Sequence, residues 1–77
     1  MKFYFNVCSD SANEEDREGI DLPSLADARK EAVRAAKEMV VDMLAHDDRI
    51  DGMRFEIVDE SGQLLETVRF RDLLGVD

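Results

Sequence analysis

His46 is the only histidine of the 77 residues and Cys8 the only cysteine, so with an excess of carboxylates these two are where chemistry would have to start. His46 precedes Asp47 and Asp48, a setting for a proton shuttle or a metal ligand. A histidinium at a helix C-terminus nevertheless gains about 0.3–1 kcal/mol from the carbonyl end, which accounts for it without chemistry. Cys8 would need an activating base to act as a nucleophile. Its neighbours are Val7, Ser9 and Asp10, and acidic surroundings raise a thiol pKa, so it reads as an inert residue at a strand end. Set against the twelve-position calcium loop, residues 10–21 place Ala12 at position 3, Glu15 where glycine is required and Asp21 last, and fail at the glycine. The pairs Asp47 with Asp48 and Asp59 with Glu60 fall in turns, where short acids satisfy backbone groups. No serine, lysine or glycine motif for acyl or phosphoryl transfer is present. The chain therefore reads as non-catalytic, with no cofactor and no metal.

The elements that would position these residues follow from periodicity. Residues 2–7 alternate, with Phe3, Phe5 and Val7 on one side and Tyr4 and Asn6 on the other, as in a half-buried strand. Residues 9–17 lack a large apolar side chain and read as an exposed acidic loop. Residues 18–22, ahead of Pro23, suit a short returning strand. Ser24 with Asp27 resembles a capping box, so a helix should run from there to about Ala45. Its apolar arc holds Leu25, Ala28, Ala32, Ala35, Ala36, Met39 and Met43, extended by Val33, Val40 and Leu44. Arg29 lies at the margin of that arc and reads as a snorkelling side chain paired with an acid from the loop before the helix, a partner contact being the alternative.

After a polar break over residues 47–52, Met53, Phe55 and Ile57 alternate with Arg54 and Glu56, and Val58 continues that strand. Residues 59–62 form a turn with a late glycine, making a hairpin. The return strand, residues 64–70, puts Leu64, Glu66, Val68 and Phe70 on one face and Leu65, Thr67 and Arg69 on the other. Residues 71–76 suit a helical turn ended by Gly75. The expected result is one α+β domain spanning residues 1–77, in the order β-β-α-β-β: a three- or four-stranded antiparallel sheet with one long helix on one face. Phe3, Phe5, Val7, Phe55, Ile57 and Val68 should face the helix, leaving Tyr4, Val58, Leu65 and Thr67 on the opposite side, where a partner would dock.

Composition restricts the partner. A chain of 8.8 kDa buries only about 60% of its unfolded surface, so a large cleft would compete with the core. Nineteen acids oppose ten bases. Residues 9–21 hold six acids and one base, residues 24–46 four of each, and residues 47–77 nine acids and four bases. Such a field repels phosphate backbones, and no cluster of lysine and arginine stands out, which argues against nucleic acid. No apolar run approaches the roughly 20 residues of a membrane span, and a lone cysteine suits a reducing compartment. These features point to a soluble cytoplasmic protein that meets a protein partner or a second copy of itself.

Phe3-Tyr4-Phe5-Asn6-Val7, Glu18-Gly19-Ile20-Asp21-Leu22-Pro23, Asp27-Ala28-Arg29, Asp59-Glu60-Ser61-Gly62 and Thr67-Val68-Arg69-Phe70, in this order and spacing, resemble a family of small uncharacterised bacterial proteins. That family is common in rhizobia and related alphaproteobacteria and is carried as a domain of unknown function. The resemblance spans nearly the whole chain and implies a small cytoplasmic bacterial protein with no assigned catalytic residues. Similar proteins often carry histidine at the position of Asn6 and proline at that of Arg69, so any chemistry of that histidine is missing here. The first half also resembles antitoxin domains of the HicB type, which open with an aromatic strand and place a helix after a short strand pair. That likeness implies inhibition of a basic toxin, without a separate DNA-binding segment in these residues. The leading expectation is a non-catalytic interaction or regulatory module. The alternatives are a HicB-like inhibitor of a basic protein, and a small ligand-binding domain or enzyme using Tyr4, Arg29 or His46 around a pocket.

Overall fold

The alternation of residues 2–7 produces β1 (Lys2–Cys8), and the chain then forms β2 (Asn13–Glu14), β3 (Ile20–Asp21), α1 (Leu25–Ala45), β4 (Arg54–Val58) and β5 (Leu64–Arg69), closing with a 3-10 turn, η1 (Phe70–Leu73). This computed structural model describes residues 1–46, 50 and 52–73. The fold is α+β, with one long helix against one face of a wholly antiparallel sheet. The strands run in the order β2-β1-β4-β5, and β3 pairs with the other end of the β1 edge that β2 occupies. Among the described residues five strands thus stand where three or four were expected, because residues 13 and 14, read as loop, pair with Val7 and Cys8. Asp47, Asp48 and Asp51 of the polar break, and the end of the expected terminal turn with Gly75, lie outside the described residues.

Ser24 caps α1 as its spacing predicts: its hydroxyl oxygen accepts from the Asp27 backbone N–H at 3.2 Å and donates to the Asp27 carboxylate at 3.0 Å. Ala28, Ala32, Ala36 and Val40 of the helix are buried, and the alanines let its backbone approach the sheet closely. Phe3, Phe55, Ile57 and Val68 meet that stripe, while Phe5 and Val7 pack partly buried against it. Ile50 and Phe70 complete the core from beyond the regular strands. Phe55 stands edge-on to Phe5 at 6.4 Å and tilted to Phe70 at 5.5 Å, so three aromatics interlock across β1, β4 and η1. Leu44, expected on the core arc, is instead 51% exposed near the helix end.

The hairpin turn behaves as its residues require. The Asp59 carboxylate accepts from the Ser61 and Gln63 backbone N–H groups, both at 2.9 Å, and Gly62 takes φ +87°. From this turn a regular register would put Arg54 opposite Val68 and mix the two faces. A bulge prevents it: Val58 pairs with Leu64, but Ile57 pairs with Glu66, leaving Leu65 as the extra residue. Apolar positions then meet apolar ones, with Phe55 opposite Val68. The bulge also corrects two expectations. Leu65, expected on the open face, is half-buried against the core, and Leu64, expected under the helix, pairs with the open-face Val58 and is 52% exposed.

Candidate open-face binding site

Directly opposed residues of neighbouring antiparallel strands share a face, so the register defines the surface that α1 leaves uncovered. Three rungs cross β1, β4 and β5 there. Tyr4, Val58 and Leu64 form an apolar rung; Asn6, Glu56 and Thr67 a polar one; Cys8, Arg54 and Arg69 the third. Tyr4, Val58 and Thr67 thus lie together where the sequence places them, with Leu64 standing in for Leu65. Gly19 closes the flank of Tyr4: a β-carbon there would come within 3.0 Å of the ring, and its φ of +72° already favours glycine.

The apolar rung is bordered by carboxylates. Tyr4 and Val58 line a shallow depression with Glu15, Asp16, Asp59 and Glu60. Asp16, read from the sequence only as part of the exposed acidic loop, is instead tied to the sheet. It sits between β2 and β3, where the edge of β1 turned away from β4 has no strand partner, and its carboxylate accepts from the Phe5 backbone N–H at 3.0 Å, Glu18 at 3.1 Å and Gly19 at 3.2 Å. Asn6 returns the tie by accepting from the Asp16 N–H at 2.9 Å. Burial works against ionisation of Asp16, but these three donors and the Lys2 charge outweigh it and hold the carboxyl below its usual range. Residues 9–17 are therefore fastened to the sheet edge, with Ser9 adding a local turn through its hydroxyl, which accepts from Ala12 N–H at 3.1 Å.

The other expected residues are placed apart from this surface. Arg29 pairs at 3.0 Å with Glu66 of β5, across the helix side of the sheet, rather than with an acid of the preceding loop. Glu66 shares the face of Val68, as the alternation of that strand expects, but it lies 37 residues along the chain from Arg29, so the pairing was not visible from local spacing. His46 caps α1, its Nδ1 lying 2.9 Å from the Asp42 carbonyl oxygen. None of the described clefts is lined by more than one of Tyr4, Arg29 and His46, as the small-pocket alternative would need. Among the described residues no group of three or more histidines, cysteines or acids is arranged to hold a metal ion.

Cys8 is 3% exposed. Burial pushes its thiol up, the Glu56 charge adds to this, and Arg54 opposes it only in part. Alkylation by iodoacetamide at pH 7.5 is accordingly expected to be slower in the folded chain than in the urea-unfolded chain by roughly tenfold or more, followed by intact mass. Equal rates would mean that the strand end opens readily.

Comparison with known proteins gives one relationship. The model of a family described as a domain of unknown function (DUF6894) matches residues 2–71. No curated protein and no solved structure matches the chain.

Proposed function

From the premise that the chain belongs to this DUF6894 family, we propose that it is a small non-catalytic protein-interaction module whose open sheet face receives a basic segment of a protein partner. The observation that carries this reading is the Tyr4–Val58–Leu64 rung bordered by Glu15, Asp16, Asp59 and Glu60. An arginine or lysine suits such a border, because its alkyl stem covers apolar surface while its charge meets the carboxylates, and the Tyr4 ring offers a cation–π contact. An inhibitor of a basic protein, working as HicB-type antitoxins do, is the form of this reading that the acidic border favours. The setting is the cytoplasm of a bacterium. In the described residues no helix is long and apolar enough to cross a membrane.

Affinity capture of the tagged protein from an extract of its native host, at low and high salt, tests the reading. Wild type should retain one stoichiometric partner whose association slows steeply as salt rises. Tyr4→Ala should weaken retention by roughly tenfold, as expected when an aromatic anchor is truncated, and Lys37→Ala on the outer side of α1 should not. Recovery of the chain alone, or equal retention by Tyr4→Ala, would contradict it. A second copy as the retained species would identify a homodimer instead.

A further inference from the structure

The third rung breaks a local rule. Arg54 and Arg69 are direct cross-strand partners, and like charges so placed destabilise a sheet. Arg71 adds a third guanidinium to the same place: all three line an open cleft of about 640 Å³ at the β4 start and β5 end, with Asp10, Gly52, Met53 and Asp72. The arginines of α1 are neutralised, Arg29 by Glu66 and Arg34 by Glu31 and Glu38. Arg69 and Arg71, by contrast, form no ion pair among the described residues, although Asp10 and Asp72 line the same cleft. Arg54 is oriented, donating from Nε to Glu56 at 3.1 Å and from Nη1 to the Gly52 carbonyl at 3.3 Å.

We propose that this cleft is a carboxylate-binding site, filled by a glutamate or aspartate side chain of the partner that docks on the open face. It rests on the reading of that face as a docking surface and names the second half of what the partner presents. A bridging carboxylate removes the repulsion between Arg54 and Arg69 and offers two oxygens to guanidinium forks. Charge selects the class of anion. Asp10 and Asp72 line the cleft and Glu56 pairs with Arg54, so three carboxylates already stand near three guanidiniums; a singly charged carboxylate adds less repulsion there than a phosphate dianion, the more so in a chain of net charge −9. The arginine rung and the apolar rung are separated by four residues of β4, about 13 Å at the rise of a strand. A partner in extended conformation would therefore carry its acid about four residues from its base.

The test uses the isotopically labelled full chain in nuclear magnetic resonance titrations at constant ionic strength. The probes are N-acetyl-glutamate N-methylamide, its glutamine counterpart and inorganic phosphate. The glutamate probe should shift the Nε–Hε signals of Arg54, Arg69 and Arg71 saturably, the glutamine probe should not, and Arg69→Gln should weaken the response by roughly tenfold with the backbone spectrum otherwise retained. Equal shifts with the glutamine probe, tighter binding of phosphate, or an unchanged response in Arg69→Gln would each overturn the assignment. Failure here while Tyr4→Ala still weakens partner capture removes the carboxylate site and leaves the docking face. A saturable glutamate response in a chain that captures no partner upholds the site and removes the docking reading.

Discussion

Replacing Phe70 by alanine is expected to lower stability by about 3–5 kcal/mol, the cost of emptying a fully buried aromatic position. Phe70 has no exposed surface and contacts Phe55 where η1 turns back under the sheet. Its backbone N–H donates to the Met53 carbonyl at 3.0 Å, so the same residue anchors the start of β4. A domain of this length holds roughly 4–12 kcal/mol in total. The loss is therefore a large share of it, and thermal unfolding followed by circular dichroism should show a midpoint lower by about 12 °C or more. Val41→Ala, at a helix position that is 69% exposed, should change stability by less than about 0.5 kcal/mol. Similar midpoints for the two variants would mean that the aromatic cluster does not hold the fold together.

Asp16→Ala is expected to be the most damaging change among the acids of residues 9–21. It leaves the Phe5, Glu18 and Gly19 N–H groups without their acceptor, and a part-buried donor left unsatisfied costs about 1–3 kcal/mol. Solvent reaches Glu18, which limits the total, whereas Phe5 lies in the sheet. The same carboxylate sets a pH dependence. Because its folded pKa is depressed, its contribution is complete above the ordinary carboxylate pKa of about 3.9 and is lost as pH falls through the lower folded value. Asp59, held down first by the Ser61 hydroxyl, and Glu31, held down first by Arg34, shift in the same sense. Urea titrations between pH 7 and pH 2 should therefore show wild type losing stability on acidification and Asp16→Asn losing less of it. Parallel curves would show that Asp16 carries no such share.

The sheet with its single helix was legible because the apolar residues repeat with clean periods. Phe3, Phe5 and Val7 alternate, Phe55 and Ile57 alternate, and Ala28, Ala32 and Ala36 recur along one side of α1. Ser24 and Gly62 then mark a helix start and a turn by chemistry that depends on local residues only. Residues 13 and 14 escaped notice because a two-residue strand has no period; what makes it a strand is the edge of β1 beside it. The candidate surface was half legible for a similar reason. Tyr4, Val58 and Thr67 follow from alternation, but Leu65 and Leu64 exchange roles at a bulge that local propensity does not announce. The cleft of Arg54, Arg69 and Arg71 was hidden for the same cause, since only the bulged register sets Arg69 opposite Arg54.

The docking claim separates the two sides of the molecule, and methyl spectra of the labelled full chain, recorded with and without its captured partner, test it most directly. Val58 and Leu64 report on the open face and Val41 on the outer surface of α1. Partner binding should move the Val58 and Leu64 methyl signals and leave Val41 in place. Movement of Val41 with Val58 and Leu64 unchanged would place the partner on the helix and contradict the account.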